Sequence, residues 1–504
     1  MNFWLYRNIC IVYDKYIALK DIEADSYDLS ILDKSLFLTP KTCEESLKAL
    51  SSSPYGVEQL CSIYFNLFSD KEIDTFSIDK LDFDTLPIGT ILDKRLVSKI
   101  DRFRVFLGKA LNIRKIINRG KREAIKFIKS FFTPEIGILD TFFSSGLLLT
   151  LSFKSFFKIQ EIGFEKIPKI ENYKLDKEGR EKIFQWEEYF DDFDKYFFES
   201  MESLMPFSFI EGFQEIYAFS RKNNNNLTYV ISEAWLGNEF LSIKLAIMQQ
   251  DGIRHIHPQH GWVHFNFLTL MWLESYLSDV YLTSGAQIKG LPNIVQGGYI
   301  RESYSVIKDN SRADILFFST TSPAYTYQLD ENVRDMSFSI YLDKQVKFIE
   351  LLKEDLFNEL FYRKYPVDYG WGEVDTLTKK FPKLKFDNVQ KRGLDRLSSA
   401  KLVIFDGFST GYIESIIANT PTVIIFDKDI RCVNKEFEKL IDKLFKVNVV
   451  FYNIEDAAHH INSVYMNPYE WWNLEKVQRE IKVFLDCTAR DRKYSENYIL
   501  QLIK

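Results

Sequence analysis

Cysteine is scarce in this 504-residue chain: five residues, Cys10, Cys43, Cys61, Cys432 and Cys487, odd in number, scattered and without a C-x-x-C pair. That excludes a disulfide framework and a zinc knuckle, and a reducing, cytoplasmic setting fits. Proline (13) and glycine (21) are also few, so little of the length is expected to be linker. No apolar run reaches the roughly 20 residues that cross a bilayer; the uncharged, apolar stretch Thr141 to Phe153 stops short. The N-terminal MNFWLYRNICIVYDKY meets Arg7, Asp14 and Lys15 too early for a secretory signal and reads as a first strand. An excess of positive charge is missing as well: a net charge of −6 argues against general nucleic-acid binding.

Apolar material is plentiful, with 44 Phe and 27 Tyr, and the length predicts two or three domains. The most informative stretch is Lys401 to Phe426, KLVIFDGFSTGYIESIIANTPTVIIF. Leu402 to Phe405 and Thr422 to Phe426 read as strands buried on both faces. Between them, a helix opens at Ser409 and Thr410 and closes near Asn419, Thr420 and Pro421. Joined to the first strand through Asp406, Gly407 and Phe408, that helix points unpaired N–H groups and its positive dipole end out of the sheet's carboxyl edge, where anions bind. Ser409, Thr410 and Gly411 then suit a phosphate, and Glu414, one turn on, suits ribose hydroxyls. The same pattern also fits a plain N-capped helix in any α/β protein.

Strands alternate with helices elsewhere too. Leu227 to Ile231, Arg254 to Ile256 and Asp279 to Thr283 read as strands, with a helix over Asn238 to Gln250. A polar connection over Arg301 to Arg312 leads to a second α/β unit that begins with the strand Asp314 to Phe318. We therefore expect an N-terminal α/β domain over 1–300, with a large, mostly helical insertion at about 93–220. A C-terminal α/β domain over 311–504 follows, closed by a helix pair at Trp471 and Trp472. Two Rossmann-like domains facing one cleft is a GT-B-like arrangement, shared by transferases and their epimerase relatives. Residues 93–130 carry thirteen Lys or Arg against three acidic residues, beside the apolar FFSSGLLLTLSF. That pairing suits a peripheral membrane contact through 93–157, or a solvated basic face.

Four of the six histidines, His255, His257, His260 and His264, lie within RHIHPQHGWVHF. His255 and His257 alternate along a strand, Pro258 redirects the chain, and no acidic residue nearby completes a metal set. Gln259, His260 and Gly261 then form a turn at a strand's carboxyl end, with His260 aimed at the cleft as general base or phosphate partner, its pKa near neutrality. A hydrogen-bonded structural histidine is the other reading. In FYRKYPVDYGW, Arg363 ends a strand and could grip a carboxylate or phosphate, Asp368 a sugar hydroxyl, with Trp371 beside them; a surface ion pair with a packed aromatic is the alternative. Arg396 is expected on a helix surface, and Arg392 is a weaker pocket candidate.

With these residues in view, the chain resembles a family of bacterial surface-carbohydrate transferases found beside lipopolysaccharide and nonulosonic-acid genes. FFESMESLMPFSFIEGF looks like that family's opening helix, and NEFLSIKLAIMQQDGIRHIHPQHG is similar to its helix, strand and Gln-His-Gly turn. RKYPVDYGW, DGFSTGYIESIIANTPTVIIF and the segment Tyr469 to Phe484 also fit. More distantly, the acid, Ser-Thr and helix-Glu pattern is similar to CDP-glycerol glycerophosphotransferases and capsule Kdo transferases. The resemblance departs at Trp262, where a second glycine is usual, and at Leu282 to Gly285, which replaces a Thr-Trp-Gly-Trp element. It implies a glycosyltransferase without metal or cofactor, using a nucleotide-sugar donor, CMP-ulosonic acid favoured, and a glycan or lipid-linked acceptor, in the cytoplasm or at the membrane's inner face. The catalytic pair would be Gln259 and His260. The alternatives are a nucleotide-sugar 2-epimerase and a non-catalytic partner in a polysaccharide assembly complex.

Overall fold

A computed structural model describes residues 2–20, 30–32, 34, 37–43, 45–46, 54–69, 74–76, 131–139, 141–162, 174–186, 188–221, 226–233, 238–261, 268–291, 293–301, 314–321, 335–366, 371–390, 392–397, 400–428, 433 and 435–503. The helices are α1 (Asn2–Lys20), α2 (Pro54–Phe68), α3 (Ser145–Lys154), α4 (Lys177–Phe184), α5 (Asp192–Leu204), α6 (Phe213–Ser220), α7 (Glu239–Gln250) and α8 (Leu268–Tyr276) in the first half. In the second come α9 (Asp335–Glu350), α10 (Glu354–Glu359), α11 (Glu373–Lys380), α12 (Gly393–Leu397), α13 (Thr410–Ile417), α14 (Glu438–Lys446), α15 (Ile454–Val464), α16 (Pro468–Trp472), α17 (Glu475–Thr488) and α18 (Lys493–Gln501).

Two six-stranded sheets, parallel throughout, organise the chain, with a small pair of β1 (Ser30–Leu32) and β2 (Asp74–Phe76) outside them. The first sheet holds β3 (Ile136–Ile138), β4 (Ile159–Glu161), β5 (Tyr229–Ile231), β6 (Arg254–Pro258), β7 (Val280–Thr283) and β8 (Ile294–Gln296) in the order β4-β3-β5-β6-β7-β8. The second holds β9 (Asp314–Phe318), β10 (Leu360–Arg363), β11 (Lys385–Phe386), β12 (Ala400–Phe405), β13 (Thr422–Ile425) and β14 (Val450–Phe451) in the order β11-β10-β9-β12-β13-β14. These are the two Rossmann-like units expected, and apolar runs such as Leu402 to Phe405 are buried because helices cover both faces of a parallel sheet.

Three expectations are corrected. The N-terminal run is a helix, because its buried positions Asn8, Ile11, Val12 and Leu19 recur at helical spacing against α2 and α5, where a strand would need alternation. The stretch taken as a helical insertion contains β3 and β4, short apolar runs that pair with each other, β3 also pairing with β5; its basic part, 93–130, lies outside the described residues. The closing helices do not all stay with the second sheet: Ile499 of α18 packs in the first sheet's core with Ile136, Leu147 and Val280.

That return is locked by Gly298, whose N–H donates to Ser495 Oγ (2.8 Å) while the same hydroxyl donates to the Gly298 carbonyl (2.9 Å). A Cβ at Gly298 would collide with the Asp491 carbonyl, so only glycine lets the segments lie this close. The paired tryptophans clamp the other end of the second unit: Trp472 Nε1 donates to Asn419 Oδ1 (2.7 Å), the left-handed residue just past α13 (φ 50°), and Trp471 Nε1 to the Val447 carbonyl (3.0 Å).

Candidate active site at the meeting of the two sheets

In each sheet the chain reverses its direction of winding once, between β3 and β5 in the first and between β9 and β12 in the second. Ligands of open parallel sheets sit outside the carboxyl ends at such points. Both are bridged by a carboxylate. Glu233, after β5, accepts the N–H of Phe142, after β3. Asp406, after β12, accepts the N–H (2.9 Å) and hydroxyl (2.6 Å) of Thr320, after β9, and is also bonded by Tyr341 and by Gln345 Nε2 (2.7 Å). These bonds hold the two strand ends together.

Beyond Asp406 the buried ring of Phe408, packed on Phe426 (4.7 Å) and Tyr412 (5.1 Å), fixes the turn into α13. Ser409 is the N-cap, extended at φ −144°, yet its side chain makes no capping bond. A serine there usually accepts a first-turn N–H, so here both the hydroxyl and the first-turn N–H groups stay open to an anion. Gly411 packs its bare Cα near Phe405, and an added Cβ would lie 3.0 Å from that ring. Burial, then the charge of Glu414 one turn on, raise the Tyr299 phenol in the first half of the chain above its ordinary range.

The first sheet supplies the facing turn after β6. Gln259 is buried and ties it down: its N–H donates to Leu282 O (2.9 Å), its Oε1 accepts from Ser284 N (2.7 Å) and its Nε2 donates to Gly261 O (2.6 Å). Both ends of its amide are engaged in holding the turn. Gly261, at φ +60°, lies directly against the start of α13; a Cβ there would be 2.6 Å from Thr410 Oγ1. The two turns singled out in the sequence thus touch across the cleft.

His260 lies between them. Its ring packs edge-on to Phe142 (5.2 Å), and its Nδ1 is 3.5 Å from Arg301 Nη2. Burial, then the Arg301 charge, push its pKa down to about 4, so the expected near-neutral value is corrected and the ring is neutral at pH 7. A guanidinium can only donate, so Nδ1 must accept and the ring proton resides on Nε2. His260 therefore offers a ligand a hydrogen-bond donor.

His255 and His257 are turned inward, His255 Nε2 to the Ser232 carbonyl (3.2 Å) and His257 Nε2 to Glu274 Oε1 (3.4 Å). Burial lowers both to about 3 and raises Glu274, bonded by the Tyr281 hydroxyl (3.0 Å), to about 8. Among the described residues no group of three or more His, Cys, Asp or Glu could hold a metal ion.

Arg363 is not brought to this cleft. It lies at the end of β10, two strands from β12, and its Nη1 bonds Asp387 (2.5 Å) and the Asn388 carbonyl (3.1 Å). Asp387 also holds Arg396, which reaches Asp314 (2.8 Å) and is buried rather than on a helix surface. Arg392 pairs with Asp395 in the open. Trp371 stacks flat on Phe338 (4.5 Å), and Asp368, His264 and Trp262 lie outside the described residues.

One residue at the cleft was missed. Arg301, taken as the start of a connection, stands over the Phe142 ring (4.3 Å) beside His260. Its sequence signal was its place just after a strand and a glycine pair, where the chain passes the cleft.

A family model described as LIC12162 family transferase matches residues 1–503. No curated protein matches the chain. Among solved structures it is similar to Anabaena HepE in complex with UDP-glucose (8% identity, 73% of this chain and 97% of that one, TM-score 0.37). It is similar as well to CalG4, the calicheamicin glycosyltransferase (9%, 74% and 100%, 0.35), and to WaaG, a glycosyltransferase involved in lipopolysaccharide biosynthesis (9%, 73% and 99%, 0.25).

Proposed function

The chain belongs to the LIC12162 family of transferases, and from that premise we propose that it transfers a sugar from a nucleotide-activated donor bound beside the point where the Gly261 turn meets the start of α13. The contact of Gly261 with Thr410 carries this reading, because it sets an open helix N-terminus against a turn bearing a neutral, donating histidine. The donor phosphate lies at Ser409 and Thr410, with ribose near Glu414. An acceptor hydroxyl oxygen bonds to the anomeric carbon as the bond from that carbon to the phosphate oxygen breaks. The electron pair leaves on the phosphate, where the α13 N–H groups, the two hydroxyls and His260 Nε2–H receive the added charge, and the hydroxyl proton passes to solvent. These groups are fixed before the reaction begins, so they need no reorganisation as charge develops.

A CMP-linked ulosonic acid is the favoured donor, on the likeness to cytidine-nucleotide transferases, and a surface polysaccharide or its lipid-linked precursor the acceptor. Among the described residues no helix is long and apolar enough to cross a membrane. A peripheral contact is proposed at the first sheet's amino edge, where Phe131, Phe132, Phe153 and Phe156 are exposed. A thermal-shift screen against CMP, CDP, UDP and GDP tests the reading: a ligand of the folded state alone raises the melting temperature, and a screen with no shift at millimolar concentration rejects it.

A further inference from the structure

Arg301 lies where the chain passes between the two sheets, and its surroundings do not explain its charge. Among the described residues no carboxylate pairs with it; its neighbours are a ring face, Phe142 at 4.3 Å, and a neutral imidazole, His260 Nδ1 at 3.5 Å. Its Nε is buried and makes no hydrogen bond. Two residues earlier the Tyr299 hydroxyl is also buried without a partner, although the Tyr299 backbone is pinned by its bond to the Arg490 carbonyl (2.8 Å). Tyr299 senses the charges of Glu414, Arg301 and Glu233, so these donors lie near both α13 and the end of β5. Buried polar groups in folded proteins are nearly always satisfied. Two unsatisfied buried donors, Arg301 Nε and the Tyr299 hydroxyl, in one region fit an oxyanion.

We propose that Arg301, with the Tyr299 hydroxyl and His260 Nε2–H, binds an oxyanion of the donor from the first sheet's side while Ser409 and Thr410 bind from the second, so that the anion itself joins the two halves. The proposal rests on the transferase reading and goes beyond it by assigning the counter-charge. A guanidinium can neutralise a leaving phosphate or a sugar carboxylate through two parallel hydrogen bonds. Resting on the Phe142 ring, Arg301 is already oriented for this.

The test compares wild type with Arg301→Gln, Arg301→Lys and Tyr299→Phe by calorimetric titration. The probes are CMP, CDP, UDP and GDP, with free N-acetylneuraminate as a sugar carboxylate and inorganic phosphate as a bare oxyanion, and melting temperatures are recorded without ligand. Arg301→Gln is expected to weaken the bound anion tenfold or more, Arg301→Lys less, and Tyr299→Phe several-fold. Loss confined to nucleotides and phosphate assigns the site to the donor phosphate; loss confined to N-acetylneuraminate assigns it to a sugar carboxylate. The ligand-free melting temperature of Arg301→Gln should hold or rise, because an uncompensated cation is removed; a purely structural arginine predicts a fall. Wild-type nucleotide affinity retained in Arg301→Gln overturns this proposal and leaves the transferase reading standing. A wild-type protein that binds none of the probes overturns both.

Discussion

Placing a methyl group on Gly261 probes the contact that joins the halves. The residue sits at φ +60°, where a side chain costs about 1–2 kcal/mol. The new Cβ would also be 2.6 Å from Thr410 Oγ1, closer than real contacts allow, so either the threonine rotates or the turns separate. Gly261→Ala should therefore lose about 1–2 kcal/mol from the backbone, plus a second part from the collision. Thr410→Ala removes the colliding oxygen and leaves the backbone cost, so the double variant should be less destabilised than the two singles summed, by about 0.5–3 kcal/mol. Equilibrium denaturation of the four proteins measures this directly. If the turns separate instead, stability barely changes beyond the backbone cost, but nucleotide affinity in Gly261→Ala falls at least tenfold. Strict additivity together with unaltered nucleotide affinity would refute the reasoning, since the turns would then be independent.

Replacing Asp387 by Ala removes the buried carboxylate that Arg363 and Arg396 share and should cost about 3–5 kcal/mol in denaturant unfolding; a loss below 1 kcal/mol contradicts the buried network. The buried imidazoles are neutral when folded, with pKa values near 3 to 4 against an ordinary value of 6.5, so unfolding takes up protons and stability should fall as pH drops below about 6.5 towards 4. Glu274 acts in the other direction: raised to about 8, its neutral folded form is undisturbed below pH 4.5 and its cost grows as pH rises to 8, so Glu274→Gln should remove this loss of stability between pH 4.5 and 8. His260→Ala should lower turnover by roughly two orders of magnitude with donor affinity less affected, measured as a kcat change against KM. Binding to anionic vesicles should fall as salt rises, and replacing exposed Phe153 and Phe156 by Ser should weaken it; protein that stays in the supernatant at low salt rejects the membrane contact.

The strand, turn and helix from Leu402 to Asn419 were legible because each signal agrees with the others: a doubly buried apolar run, an N-cap serine, a left-handed asparagine at the end. The Gln-His-Gly turn was legible as a place, though the role of Gln259 was not, because an amide that bonds Ser284 and one that faces substrate look alike in sequence. Asp406 and Arg363 are a related case. Charged groups at strand ends suit a ligand, yet here Thr320 and Asp387, 86 and 24 residues away, use them first. Arg301 escaped notice because its meaning lies in what surrounds it in space, a bare ring and a neutral histidine. At the N-terminus, aromatic and branched residues suggested a strand, while the spacing of the buried positions obeyed the helix.

The most direct test of the account is a calorimetric titration of the wild-type protein and the Ser409→Ala, Thr410→Ala double variant with CMP, CDP, UDP and GDP. At least one nucleotide should bind the wild type, and the double variant should lose on the order of 1.5–3 kcal/mol for each charge-assisted bond removed, while melting as a folded protein. Equal affinity in the two proteins, or no nucleotide bound by either, would contradict the claim that the cleft between Gly261 and α13 is where an activated donor sits.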